Sequence, residues 1–519
     1  MSDYSVKYPI GVQTFSKLIE EDYLYIDKTA LIYRLISKGN YYFLSRPRRF
    51  GKSLLLSTIA AYFEGRKDLF RGLAIEKLEQ SWISYPVIML SLAGYRPTDR
   101  NLTAMLDNRF HEFESRYGIV RNTEDPAERF RNIIRGAYEA TGSKVVILID
   151  EYDAPMVAHL DNDANREEVR DLLKSIYSNL KDMDMYIKFA MLTGVSRFSR
   201  MTIFSGLNNL KDISLLPEWS AICGITESEL RNNCRDGISR LAARQHIDYE
   251  GALALLKANY DGYHFTEESP DIYNPYSLLN ALNDSRIAPY WFQTATPTFL
   301  VKYITRQTQS LPRLFREDVP EMMLADIEAY KTTPLALLFQ TGYLTIKDYN
   351  PRRRSFLLGI PNKEVEESLF MELLSFNMNM EKYSLDKRLW DIRDAFQSGN
   401  PNLGLDIIRS FFKGIPGNIT ANHTEIFFEN NLYLLFRLIG IDARTEWWTS
   451  DGRIDLLLEL PDFVYVMELK LDKSPEEALA QIDSKEYALP WKDDGRKVFK
   501  IGINFLSSSR NIDSWIIRS

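Results

Sequence analysis

Arg46-Pro47-Arg48-Arg49-Phe50-Gly51-Lys52-Ser53-Leu54 is a stretch whose residue types suggest chemistry on a phosphate. Gly51 lets the backbone approach an anion closely, Lys52 can carry charge to a terminal phosphate, and Ser53 offers a hydroxyl to Mg2+. The apolar run from Leu54 reads as the start of a helix, and a helix N-terminus behind free N–H groups is a phosphate cradle. The pattern G-x-x-x-x-G-K-[ST] is nevertheless incomplete. Arg46 stands where the first glycine belongs, and Pro47 has no N–H to offer. By itself the tripeptide reads either as a nucleotide site with a different front or as a chance sequence on a basic loop.

Two further pieces favour the first reading. The apolar run "VVILIDE" ends in Asp150-Glu151, which would present one carboxylate to Mg2+ and a second to an attacking water. "FAMLTGVSRFSR" ends a similar run in Thr193, a polar group placed to sense a terminal phosphate, with Ser196, Arg197 and Arg200 beyond it. Each arginine reads either as a phosphate contact or as part of a solvated basic turn.

A second constellation lies near the other end of the chain. Asp455 in "GRIDLLLEL" and Glu468-Leu469-Lys470 in "FVYVMELKL" interrupt apolar strand-like runs. An unpaired carboxylate there is costly unless it binds something. Glu468 and Lys470 are two residues apart and share a strand face, and pairing of the two runs across "LPDF" would bring Asp455 to Glu468. Glu425 and Glu429 share one helical face, as do Gln481 and Lys485, with Tyr487 following. Carboxylates around a divalent ion with a lysine nearby are what phosphodiester hydrolysis requires. The plainer alternative is a surface hairpin with ordinary charges.

These groups need elements to hold them. Four short apolar runs, 41–45, 86–92, 144–151 and 186–194, fit strands of a parallel sheet buried on both faces. Amphipathic helices are expected over 53–64, 127–140 (with Gly142 as C-cap) and 165–181, giving a βαβ pattern. All three nucleotide-site pieces then fall at C-terminal strand ends, where open α/β sheets bind ligands. Residues 225–330 read as mostly helical, and 334–370 as helix, strand, turn, strand, helix, a winged-helix-like element with "NPRRR" at the wing tip. Glycines and prolines over 385–420 suggest a linker. Beyond it come a helix near 423–439, strands 452–460, 463–471 and 498–505, and a helix near 475–488. The expected domains are 1–215, 216–400 and 401–519.

Bulk properties narrow the class. The 519 residues exceed one core, and 45% hydrophobic and 13% aromatic content argue against wholesale disorder. No apolar run approaches the roughly 18 residues that cross a bilayer, so no membrane association is expected. "MSDYSVKYPIG" lacks the apolar core of a signal peptide, which with two cysteines suggests a cytoplasmic protein. Five histidines and two cysteines do not make a structural zinc site. A net charge of −7, from 64 basic and 71 acidic residues, argues against nonspecific coating of nucleic acid. Residues 421–519 are themselves acidic, with 12 Lys and Arg against 17 Asp and Glu, so substrate grip is expected from elsewhere, such as "NPRRR".

The segments "YPIGVQTFSKLI", "YIDKTALI", "FLSRPRRFGKSLLLS", "LIDEYDAP" and "LTGVSRFS" resemble the AAA-ATPase-like proteins, P-loop ATPases of bacteria and archaea often fused to a nuclease domain. In that family "RPRRFGKS" is the ordinary form of the loop. The resemblance covers most of residues 6–285. It implies ATP and Mg2+ at Lys52, Ser53, Asp150 and Glu151, with Ser53 and Asp150 at the metal and Arg46, Arg48, Arg49, Phe50, Gly51, Leu54 and Thr193 completing the nucleotide site. Residues 421–505 resemble the PD-(D/E)XK nuclease superfamily. That resemblance implies Asp455 and Glu468 as ligands of Mg2+ or Mn2+, Lys470 as the catalytic lysine, Glu425 as a supporting acid with Glu429 in reserve, and Gln481 as an extra polar group. The fold expected is therefore α/β throughout: a P-loop ATPase, a helical and winged-helix-like middle, and a restriction-endonuclease-like end. The expected activity is ATP-regulated cleavage of nucleic acid, DNA before RNA, by a chain able to oligomerise through its ATPase domain. The competing expectation is a signalling or scaffold ATPase whose last domain binds without cutting. "YDGYHF" (260–265) and His423 are read as a packed aromatic corner and a helix-start residue.

Overall fold

The four apolar runs form four parallel strands, β1 (Tyr41–Ser45), β2 (Val87–Ser91), β3 (Val145–Asp150) and β4 (Ile187–Gly194), and every residue of β1 and β3 is buried. A two-residue edge strand, β5 (Lys211–Asp212), adds to β1, giving the order β2-β3-β4-β1-β5. β4 thus lies between β1 and β3, so the loop after β1 and the acidic end of β3 face each other across Thr193. The computed structural model describes residues 6–96, 102–159, 162–197, 209–291, 298–307, 310–315, 318–324, 334–378, 382–413 and 424–519.

Local signals explain the helix limits. Pro126–Thr141 begins with Asp125 accepting from the Ala127 N–H and Pro126 in the first turn, and ends at Gly142 in the left-handed region (φ 70°). Lys52–Phe63 follows β1 directly, with Gly51 at φ 89° before it. After the sheet come four helices, Glu227–Asn233, Arg235–Gln245, Tyr249–Tyr260 and Pro275–Asp284, packed around Leu230, Ile238, Leu256 and Leu278. A two-strand ladder joins β6 (Ile225–Thr226) to β7 (Ile272–Tyr273).

The wing-like element has the expected parts: helix Leu335–Thr341, then β9 (Thr345–Asn350) antiparallel to β10 (Ser355–Gly359). An unexpected third strand, β8 (Asp318–Pro320), pairs with β10. Asn350 Oδ1 accepts from the N–H groups of Arg352 and Arg353, which closes the tip.

The described residues divide into two compact units, Met1–Ala295 with Asp318–Glu364, and Thr296–Glu317 with Val365–Ser519. This packing differs from the three-part division drawn from sequence at 215 and 400. The second unit contains helices Lys382–Gln397 and Pro401–Phe412 where a linker was expected. Gly399 (φ 71°) and Pro401 mark a tight joint between two helices rather than an open tether. Gly414, Pro416 and Gly417 lie outside the described residues. The unit is completed by helix Glu425–Leu438 and a mixed sheet ordered β11 (Asp442–Thr449), β12 (Gly452–Glu459), β13 (Phe463–Leu471), β14 (Lys497–Leu506) and β15 (Asn511–Arg518). β13 and β14 run parallel and are linked by helix Pro475–Ser484. The two edge strands had no clear sequence signal: β11 carries Trp447-Trp448 and alternating charges, and β15 is mostly half-buried.

Candidate active sites

Between β1 and its helix, the loop is built on two left-handed residues, Arg49 (φ 69°) and Gly51 (φ 89°), in place of an early glycine. Lys52 is buried, and its ammonium donates to the carbonyls of Arg46 (2.8 Å) and Pro47 (3.0 Å). Burial lowers its pKa, opposed by the charges of Asp150 and Glu151. Ser53 Oγ donates to Asp150 Oδ2 (2.6 Å) and Thr193 Oγ1 to Asp150 Oδ1 (2.7 Å), so the tips of three elements meet on one carboxylate. Glu151 has a left-handed backbone (φ 50°), a conformation that costs a non-glycine residue about 1 kcal/mol, and it turns onto the cleft wall. Burial raises its pKa, as the neighbouring Asp150 and Asp153 do more weakly, and Lys52 opposes the rise. A carboxylate of raised pKa facing a cleft suits a proton acceptor.

The cleft has a volume of about 470 Å3. Arg48, Arg49, Gly51, Lys52, Ser53, Leu54 and Glu151 line it, whereas Asp150 and Thr193 lie behind Ser53. Arg46 and Phe50 do not line it. The Arg46 guanidinium turns inward, donating to the carbonyls of Ser45 (2.9 Å), Ser214 (2.8 Å) and Trp219 (3.2 Å) and stacking 3.9 Å over the Phe265 ring. Phe50 packs edge-on against Tyr263 and Phe265. Both side chains therefore fasten the loop from beneath. Ser196 and Arg197 also point elsewhere: the Ser196 hydroxyl donates to Asp153, and Arg197 pairs with Asp212 (2.7 Å) on β5. Arg200 is outside the described residues.

Sequence reasoning missed several groups here. Asp153 is buried and accepts from the N–H groups of Val195 (3.1 Å) and Ser196 (2.6 Å), tying the turn after β3 to that after β4. It belongs to "LIDEYDAP", but its spacing gave no sign of that bond. On the opposite wall stand Ile10, Val12, Pro275 and Tyr276, and Arg49 stacks 4.6 Å from the Tyr276 ring. His264 instead pairs with Asp271 (2.7 Å) in its own corner.

In the second unit, Leu456 pairs with Met467 in the antiparallel β12–β13 ladder, which sets Asp455 opposite Glu468. Asp455 Oδ2 accepts from the Leu469 N–H (2.8 Å), and Glu468 Oε1 accepts from Lys470 Nζ (2.9 Å). Asp455 and Glu468 are both buried, on facing positions of the ladder. Burial raises both pKa values, and the Asp455 charge raises that of Glu468 further. Burial alone would lower the Lys470 pKa, but the bond to Glu468 and the surrounding carboxylates raise it. Glu425 is half-buried at the helix start, its pKa raised by burial and by Asp455. Glu429, one turn on, is fully buried and is pushed up to about 8 by burial and Asp455. Glu429 Oε1 and Glu468 Oε2 are buried with no hydrogen-bond donor. Two orphaned carboxylate oxygens at one site fit a bound cation, because an unpaired buried acceptor is otherwise costly.

The remaining sequence candidates separate. Gln481 is half-buried and makes no side-chain hydrogen bond to the carboxylates among the described residues. Its helix stops at Ser484, and Glu486 takes a left-handed turn (φ 48°), so Lys485 is an exposed cap rather than a helical neighbour. The buried Tyr487 hydroxyl accepts from the Arg453 N–H (3.1 Å), buttressing the start of β12. His423 is outside the described residues. Glu446 went unnoticed in the sequence. The β11–β12 register places it across from Asp455, with a left-handed backbone (φ 50°) and its carboxylate on Arg453 (2.7 Å).

Residues 9–204 match the family described as AAA-ATPase-like, a predicted AAA-ATPase, and residues 423–515 match the PD-(D/E)XK nuclease superfamily. An uncharacterized protein in the vnfD 5' region of Azotobacter chroococcum mcd 1 is 36% identical over 527 residues, covering 99% of both chains. The chain belongs to the AAA-ATPase-like family and carries a PD-(D/E)XK nuclease superfamily domain. Among solved structures, the Drosophila ORC bound to AT-rich DNA and Cdc6 aligns with 71% of this chain and 94% of that one, at 12% identity and a TM-score of 0.18, too low to bear on the fold. In this AAA-ATPase-like protein no helix among the described residues is long and apolar enough to cross a membrane.

Proposed function

We propose that the protein binds and hydrolyses ATP in its first unit and, under control of that nucleotide, cleaves phosphodiester bonds of DNA at Asp455, Glu468 and Lys470. The observation that carries the cleavage reading is the buried meeting of Asp455, Glu468 and Lys470 beside two unpartnered carboxylate oxygens. Mg2+, or Mn2+, would supply Lewis-acid stabilisation of the charge that develops on the phosphate. Asp455 and Glu468 would hold it. No group of three His, Cys, Asp or Glu among the described residues could hold an ion alone, so water or substrate oxygens would complete its shell. Lys470 would place a cation beside the reacting phosphate, and Glu425, with Glu429 in reserve, would be the supporting acid.

At the other site Lys52 and the N–H groups around Gly51 would take the phosphates, Ser53 and Asp150 the Mg2+, and Glu151 would accept the proton of the attacking water. Arg49 and Tyr276 give the cleft a cationic and aromatic wall for the rest of the nucleotide. The setting proposed is cytoplasmic, with homo-oligomers formed through the ATPase domain.

The test is incubation of purified protein with supercoiled and linear DNA, Mg2+ or Mn2+, with and without ATP. Asp455→Ala and Lys470→Ala should each reduce cleavage at least about a hundredfold, the scale of losing transition-state charge stabilisation, while ATP turnover survives. ATP turnover without nicking in every combination would instead leave a scaffold ATPase. The net negative charge of residues 421–519 is the feature that favours that second reading.

A further inference from the structure

Two tryptophans stand in solvent at the tip of the β11–β12 ladder: Trp448 is 75% exposed and Trp447 36%. Large exposed aromatics beside a cavity mark a surface that something covers. The cavity is about 540 Å3 and is lined by Arg313, Tyr433, Arg444, Glu446, Trp448 and Arg453, among others. Three arginines against one glutamate make this lining cationic within an otherwise acidic segment. Arg444 stacks 4.9 Å from the Trp447 ring while pairing with Asp442 (2.8 Å) and Glu459 (3.2 Å), so the charge it leaves for a ligand is small and Arg313 and Arg453 carry the cationic character. Arg453 pairs with Glu446 yet keeps 45% of its side chain exposed. Arg313, brought in from the distant helix Leu311–Leu314, is exposed and has no ion-pair partner among the described residues.

Two elements lead from the cavity lining to the carboxylate site. Arg453 precedes Asp455 by two residues on β12, so the two share a strand face at a spacing of about 7 Å. Tyr433 follows Glu429 by four residues on helix Glu425–Leu438, so they share a helical face. A chain of phosphates entering over Trp448 and Arg453 would therefore run toward Asp455.

We propose that this cavity is a subsite for unpaired nucleotides, in which Trp448 stacks on a base while Arg313 and Arg453 meet the flanking phosphates. The nucleic-acid identity of the ligand rests on the nuclease reading above. The strandedness rests on the tryptophan: the interior of a duplex hides its base faces, whereas a single strand or frayed end offers them to an indole regardless of sequence. The site thus selects single-stranded segments, flaps or frayed ends over continuous duplex.

The experiment is fluorescence anisotropy with a labelled oligonucleotide, single-stranded or in blunt duplex, against full-length protein carrying Asp455→Asn to prevent cutting. Adding Trp448→Ala should weaken single-strand binding about tenfold or more, a loss of about 1.4 kcal/mol or greater. Duplex binding should change less than about twofold, and Trp448→Phe should restore most of the affinity. Arg313→Ala should lower the salt slope of single-strand binding by about one. An unchanged far-UV circular dichroism spectrum and thermal unfolding profile of the Trp448→Ala chain will show that it is folded. Equal loss on duplex and single strand, or no loss on either, would overturn the subsite. The two readings fail separately. Nicking by the wild-type chain with Trp448→Ala indifferent on single strands removes the subsite alone; no nicking, but a single-strand defect in Trp448→Ala, removes the nuclease alone.

Discussion

Asp261 is a carboxylate that neither site uses, and it is fully buried with no hydrogen-bond donor on either oxygen. Its neighbours are Lys257 at 4.0 Å and the charges of Asp271 and Glu227. Burial pushes its pKa up from 3.8 to about 7, with the Asp271 charge adding to the rise and Lys257 opposing it. The folded chain therefore holds a proton there that the unfolded chain has released. That stability is complete below about pH 3.8 and is lost as pH rises through about 7. Asp261→Asn should remove the loss, raising stability above pH 8 by up to about 4 kcal/mol while changing little near pH 4. Urea unfolding of both proteins across that range measures it; parallel pH profiles would contradict the assignment. Arg46 offers the opposite case, a buried cation whose two terminal amino groups donate to carbonyls and whose plane lies over a ring, with Nε alone unpartnered. Arg46→Met should cost about 2–4 kcal/mol of stability by stranding those carbonyls. Lost ATP affinity with an unchanged unfolding midpoint would instead put Arg46 at the phosphates.

At the scale of elements, the nucleotide site depends on how closely the ends of β3 and β4 approach. A Cβ on Gly194 would lie 2.4 Å from Asp153 Oδ1 and 2.6 Å from the Tyr152 ring, so only glycine lets these turns meet. Gly194→Ala should push Thr193 off Asp150, reducing ATP turnover at least about tenfold, about 1.4 kcal/mol, and lowering the thermal midpoint. Wild-type turnover would show that this contact is not needed. The apolar runs of β1 to β4 were legible because a strand buried on both faces has no polar residues to interrupt it. The pairing of Asp455 with Glu468 was legible because a short hairpin leaves little choice of register. What the sequence hid lies in exposed or long-range partners. β5 is only two residues long, β11 has no apolar alternation, and Arg313 reaches its cavity from more than a hundred residues away in sequence. Arg46 was misread for a related reason: a run of basic residues does not reveal which of them faces inward, and that depends on carbonyls at Ser214 and Trp219.

Across the whole molecule, two acid-centred sites lie in two separately packed units, and nucleotide control requires the state of one to change the rate at the other. A ligand shifts such an equilibrium only through its different affinity for the two states. Binding and hydrolysis can therefore be distinguished by two substitutions in the same cleft. Lys52→Ala removes the cation proposed to meet the phosphates, so the chain should stay in its nucleotide-free state whatever the ATP concentration. Glu151→Gln keeps Lys52, Ser53 and Asp150 but removes the proposed proton acceptor, so the chain should bind ATP and turn it over slowly. If binding sets the cleavage rate, Glu151→Gln with ATP should nick supercoiled DNA at the wild-type rate with ATP, and Lys52→Ala at the wild-type rate without it. If each cleavage event consumes ATP, both variants should fall to the rate without nucleotide. Identical nicking by wild type and both variants, with and without ATP, would show two activities on one chain with no coupling between them.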